Sequence, residues 1–168
     1  SRRVAFMTQK SAKGKSKDKA KGYLHGYTKD EQDRLYDQAR FLEPMVYEKI
    51  DFSNAQRIVE VGCGVGAQTE ILLERFPNLE IHGIDAAKEQ IERAKKRLDK
   101  YIKQGRVKLS LGDAAHLPYK DNEYDGAFVC FFLEHVGSPI EILKEVRRVL
   151  RPGGLIYCTE VLNATFFL

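Results

Sequence analysis

Ile58-Val59-Glu60-Val61-Gly62-Cys63-Gly64-Val65-Gly66-Ala67 is the stretch from which the rest of the chain can be read. Ile58, Val59 and Val61 form a short apolar, β-branched run, as expected of a strand covered on both faces. Three glycines at alternate positions follow at once; glycine reaches backbone angles other residues avoid and lets a ligand approach the main chain. Gln68 to Phe76 then takes up helical spacing, with Ile71, Leu72 and Phe76 apolar. Strand, glycine turn and helix is how open α/β sheets build a nucleotide-type site at the carboxyl ends of their strands. Gly62-x-Gly64-x-x-Ala67 also fits the dinucleotide pattern, so an NAD-type oxidoreductase stays open, as does a tight turn that binds nothing. Against NAD, Glu60 stands in the strand where it would repel a pyrophosphate, and Gly66 makes the pattern G-x-G-x-G.

Downstream, the punctuation is that of alternating strands and helices. Leu79 to Ile84 reads as a second strand ended by Asp85, which lies 23 positions beyond Gly62. An acid at about that distance suits a ribose diol, because a carboxylate accepts from two vicinal hydroxyls; as a helix N-cap it would also fit. One helix is expected next, with Ile91, Ala94, Leu98 and Ile102 inward and Lys95, Lys96, Arg97 and Lys100 solvated. Val107 to Leu111 alternates as a third strand, and Asp125 to Leu133 forms a fourth. Ser138, Pro139 and Glu141 announce a helix, with Arg147, Arg148 and Arg151 suited to its negative end. Pro152-Gly153-Gly154 stops it, and Leu155 to Val161 reads as a fifth strand.

Upstream, residues 1–22 alternate lysines with small or polar residues and read as a flexible, solvated arm. No aromatic interleaves the lysines to stack on bases, so a nucleic-acid handle is the weaker reading. From residue 23 the chain reads as one domain. Thr28 and Glu31 have capping-box spacing, Leu35, Ala39 and Leu42 form an apolar stripe, and Pro44 is expected to break that helix before a second short one. The 168 residues, 43% hydrophobic and 31% charged with a net charge of +4, are ordinary for a globular domain. No stretch approaches the ~20 apolar residues of a membrane span. Three scattered cysteines give no zinc spacing and are simplest as reduced thiols of a cytoplasmic protein.

Taken together the chain resembles the class I S-adenosylmethionine-dependent methyltransferases. Val59 to Gly66 is similar to their first motif, Ile81-His82-Gly83-Ile84-Asp85 to their second strand, and Gly112-Asp113-Ala114 to their adenine-side motif. Tyr124-Asp125 through Phe131-Phe132-Leu133-Glu134-His135-Val136 is similar to their fourth strand, and Leu150 to Gly154 to the turn before the fifth. The resemblance implies a Rossmann-like, doubly wound, mostly parallel α/β sheet of order 3-2-1-4-5. It implies S-adenosylmethionine as cofactor, with Glu60, Gly62, Gly64, Gly66 and Gln68 at the methionyl end. Asp85 and Ala86 would stand at the ribose, Asp113 and Ala114 at the adenine, and the Phe131 main chain would complete the cradle.

Residues 23–50 would form a helical lid, with Tyr27 and Gln38 facing the site. His135 is a candidate general base, its ordinary pKa lying near working pH; a histidine that orients the loop or packs on the cofactor is the plainer alternative. Phe131-Phe132-Leu133-Glu134 stands where nucleic-acid N-methylating members carry Asn/Asp-Pro-Pro-aromatic, which favours a small-molecule acceptor. No metal is implied. Family members continue through another helix and an antiparallel strand pair, and residues 163–168 are too short for that. The sheet edge is therefore expected bare, to be covered by a continuation, a partner subunit or a homo-oligomer contact; a non-catalytic methyltransferase-like module is the rival reading.

Overall fold

The computed structural model describes residues 29–160. Helix α1 (Lys29–Tyr47) leads to strand β1 (Arg57–Val61), the glycine turn and α2 (Ala67–Arg75). β2 (Glu80–Asp85), α3 (Lys88–Arg97), α4 (Asp99–Lys103) and β3 (Val107–Leu111) follow. The chain then forms β4 (Tyr124–Cys130), a 3-10 turn (Leu133–His135), α5 (Pro139–Val149) and β5 (Leu150–Thr159). The strands make one sheet in the order β3-β2-β1-β4-β5, every neighbouring pair parallel, as expected. After β3 the chain crosses to the far side of β1, so the carboxyl ends of β1 and β4 diverge around a crevice.

β1 is central because both its faces are apolar. Ile58, Val59 and Val61 are fully buried, and strand alternation sends them to opposite sides. Ile58 packs with Ile71, Leu72 and Leu98 beneath α2 to α4, while Val59 and Val61 pack with Ala127, Val129, Ile142 and Val146 beneath α5. Burying a side chain of this size contributes about 1.5–3 kcal/mol, so this short strand anchors both layers.

Several boundaries differ from expectation. Pro44 does not break α1, which runs through it to Tyr47 with the Pro44 ring exposed. The helix after Asp85 is interrupted at Leu98, whose buried side chain stays while its backbone leaves helical angles. Arg97 is not solvated: its guanidinium lies 4.0 Å from the Tyr36 ring centroid and donates to the Val65 carbonyl, tying α1 to the glycine turn. β4 ends at Cys130 rather than Leu133, because Phe131 takes a left-handed φ of 52° that no strand continues. β5 begins at Leu150, ahead of Pro152-Gly153-Gly154, and the surplus residues form a bulge between the Tyr124 and Gly126 pairs. Arg148 and Arg151 serve carboxylates rather than helix ends: Arg148 pairs with Glu145 and Asp121, Arg151 with Asp125. The lysine arm, Tyr27, Thr28 and the tail after Glu160 lie outside the described residues. Within them β5 is an edge strand, with Leu155 55% exposed.

Candidate functional site

The glycine turn closes over the ends of β1 and β2. The N–H groups of Gly62 and Cys63 both donate to the Ile84 carbonyl, at 2.9 and 3.1 Å. Two of the turn positions demand glycine. Gly62 has φ 73°, and a Cβ there would stand 2.2 Å from Cδ2 of Phe132; Gly66 has φ 79°, and its Cβ would reach Leu98 Cδ1 at 2.8 Å.

Asp85 locks this turn to α3. Its Oδ2 accepts the Gly64 N–H and its Oδ1 the Ala87 N–H, each at 2.9 Å. Burial pushes its pKa up, with those backbone bonds opposing. Each oxygen retains a lone pair for a further donor.

The turn, Asp85 and the segment after β4 enclose a cleft of about 300 Å³ at the carboxyl ends of the strands. Of the residues singled out from sequence, Gly62, Gly64, Gln68, Asp85, Phe131, His135 and Gln38 line it together. Gln38 reaches it from α1. Gly66, Ala86, Asp113, Ala114 and Glu60 do not contribute to its wall. Asp113 is exposed at the end of β3, accepting from the Ala115 N–H and bonded to His116, and Ala114 is buried under the opposite face of the sheet.

Glu60 is 2% exposed, accepts the Thr69 hydroxyl at 2.5 Å and does not itself line the cleft. Burial pushes its pKa up to about 8, against the Thr69 bond and with the Asp85 charge adding to the rise.

The structure adds residues that local pattern did not single out. Gln90, in the first turn of α3, lines the cleft, is 5% exposed, and its Oε1 has no hydrogen-bond partner. A buried acceptor without a donor is uncommon in a folded protein. Cys130 also lines the cleft, hydrogen-bonded by Gln68, with burial raising its thiol pKa. The Phe132 ring covers Gly62, and Glu134 pairs with His135 at 3.3 Å. Only adjacency to Phe131 and His135 pointed toward Phe132 and Glu134; nothing local marked Gln90.

A family model described as a methyltransferase domain matches residues 59–158. The chain belongs to the class I S-adenosylmethionine-dependent methyltransferases. This methyltransferase-family chain is 30% identical over 139 residues to Methyltransferase GfsG of Streptomyces halstedii, across 82% of the chain and 50% of that protein. It is 32% identical over 131 residues to demethylmenaquinone methyltransferase of Staphylococcus aureus, across 77% of the chain and 53% of that protein. The chain thus spans about half the length of the curated relatives it matches. Among solved structures, a putative S-adenosyl-L-methionine-dependent methyltransferase from Methanococcus maripaludis shares the fold, with TM-score 0.66 and 22% identity over 86% of this chain and 67% of that one. The 4+2 cyclase SpnF matches with TM-score 0.60 and 30% identity over 76% of this chain and 45% of that one.

Proposed function

We propose that this chain binds S-adenosylmethionine in the carboxyl-end cleft and directs its methyl group to an oxygen, nitrogen or carbon nucleophile of a small molecule. One observation carries the reading: bare glycine main chain, the Asp85 carboxylate and a histidine-bearing loop face one another across a single cleft. The residues fit the cofactor. Gly62 and Gly64 both line the cleft, and the orphan Gln90 acceptor stands in the same wall as Asp85.

When bound, the cofactor supplies a methyl group on a sulfonium, a good leaving group, so catalysis rests on in-line alignment and exclusion of water. Asp85 accepts from the ribose hydroxyls with its remaining lone pairs, and Gln90 Oε1 takes a further donor along that edge. Gly62 and Gly64 present main chain to the methionyl part, with the Phe131 backbone opposite. Gln68 stands at the start of α2, where the positive helix end favours a carboxylate. Glu60, buried and bonded to Thr69, ties the end of β1 to α2 beneath the turn. Gly66 and Ala86 shape the entries to their helices; Asp113, exposed after β3, would serve the adenine with its carboxylate, and Ala114, its side chain buried, would offer only its main chain. His135 removes the proton from the acceptor nucleophile, and Gln38, with Tyr27 beyond the described residues, bounds the acceptor side.

Titration calorimetry tests the cofactor: saturable binding of S-adenosylhomocysteine and none of NAD is expected, and the reverse would overturn the assignment. A radiolabelled methyl-transfer screen over small-molecule acceptors tests the reaction. A second reading, cofactor binding without methyl transfer, is favoured by the 30% identity to a protein named as a cyclase. Tight cofactor-product binding with no transfer across the screen would support it and a partner-subunit role.

A further inference from the structure

Glu160 directly follows β5, and its carboxylate collects three consecutive backbone N–H groups. Phe132 and Leu133 donate to Oε1 at 3.3 and 3.0 Å, and Glu134 donates to Oε2 at 3.4 Å. These residues open the Leu133–His135 turn, whose leading N–H groups have no partner within the turn itself. Among the described residues no cation pairs with Glu160; its other contact is the Cys158 thiol at 3.9 Å.

What Glu160 holds is the segment that enters the cleft. Phe131, Phe132, Glu134 and His135 all line it. The segment leaves β4 through Phe131 at φ 52°, an angle a bulky residue keeps only when its surroundings impose it. Its own internal ties are few: the His135 N–H to the Phe132 carbonyl at 3.0 Å and the Val136 N–H to the Leu133 carbonyl at 3.5 Å. The end of β5 grips it twice, since the Phe131 N–H also donates to the Thr159 carbonyl at 2.8 Å. The Phe132 ring then lies against Gly62, on the opposite side of the cleft.

We propose that Glu160 is the positioning residue of this loop: from the end of β5 its carboxylate gathers the Phe132, Leu133 and Glu134 N–H groups and so sets where Phe132 and His135 stand in the cleft. A carboxylate accepting from backbone N–H groups makes charge-assisted hydrogen bonds. Two things are needed, reach and lone pairs. Aspartate keeps the charge and loses the reach; glutamine keeps the reach and one acceptor oxygen. The consequence for the cofactor rests on the cleft reading above, and the anchoring itself does not.

Amide hydrogen exchange on the whole chain, without ligand, tests the anchor. In Glu160→Ala and Glu160→Asp, the amides of residues 132–134 should exchange at least about tenfold faster while β1, β2 and β4 stay protected, as for a local opening. Glu160→Gln should restore protection at residues 132 and 133, which share one oxygen, and not at residue 134, whose N–H would face the amide nitrogen. Calorimetry should show S-adenosylhomocysteine binding about tenfold weaker in Glu160→Ala, and partly recovered in Glu160→Gln, which keeps the acceptor for two of the three N–H groups. Unchanged exchange at 132–134 in Glu160→Ala overturns the proposal, because the turn would then hold itself. Equal acceleration across the sheet overturns it too, because Glu160 would then be a general prop. If the parent chain fails to bind S-adenosylhomocysteine, the cofactor assignment falls, and the exchange result still decides the anchor.

Discussion

The two ends of the sheet carry hollows of similar size and opposite character. The carboxyl-end cleft is about 300 Å³; the hollow at the amino ends, between the residue 51–55 segment, Asp125 and the residue 151–155 bulge, is about 350 Å³. In the second, the carboxylates are already engaged. Asp125 accepts from the Gln56 and Arg57 N–H groups at 2.9 Å and pairs with Arg151, and Asp51 accepts the Ser53 N–H. In the first, Gln90 keeps an acceptor with no donor, and Gly62 leaves room that Phe132 only just completes. Volume alone does not distinguish the two hollows; the unpaired Gln90 acceptor in the wall of the first does.

The carboxylates of the two ends also titrate in opposite directions, which gives the largest expected effect. Glu60, behind the cleft, has its pKa raised by burial to about 8 from 4.5. Between those values the native state binds more protons than the unfolded chain, so stability falls as pH rises. At Asp125 burial pushes upward, but the Arg57 and Gln56 N–H groups and the Arg151 charge prevail and its pKa is lowered. Its contribution is therefore present above the usual carboxylate range and lost as pH falls through the lowered value. Urea unfolding from pH 4.5 to 8.5 should show Glu60→Gln removing a decline of a few kcal/mol; an unaltered slope would show that Glu60 ionises freely.

The next effect compares glycines with positive φ. Gly62→Ala should destabilise the fold by roughly 2–4 kcal/mol, combining left-handed strain with overpacking against Phe132. Gly153→Ala, at φ 81° with no atom within 4 Å of its Cβ, should lose only about 1 kcal/mol from strain. Denaturant midpoints check both, and equal losses would mean that Phe132 yields. Among the acids, Asp85→Ala should weaken S-adenosylhomocysteine binding by about 1–3 kcal/mol, read by calorimetry, whereas Asp125→Ala should leave that affinity alone and lower the unfolding midpoint. The smallest change is Arg151→Ala at the amino end, a half-exposed pair expected to contribute about 0–1 kcal/mol.

Much of this architecture was legible because it is local. The apolar run of β1, the glycines after it, Asp85 and the Ser138-Pro139 start of α5 each announce themselves within a few positions. The order of the strands followed from the motifs and their family resemblance. Phe131 was expected inside a strand because its neighbours are apolar; it turns left-handed where the following N–H groups bond to Glu160, 28 and 27 positions away from residues 132 and 133. Glu60 was placed beside a ligand because it adjoins the glycines; that it is buried and bonded to Thr69 rather than lining the cleft depends on how α2 packs over β1.

By itself, then, the order of residues determined the strand–turn–helix unit, the parallel sheet and the acid at the end of β2, since hydrophobic period and glycine stereochemistry act over short stretches of chain. Tertiary structure decided which groups meet across the cleft. Gln90 is left without a donor, Phe132 lies on Gly62, and Glu160 holds the loop between them. Those outcomes depend on which distant backbone groups folding brings within hydrogen-bond range, and no local spacing records that.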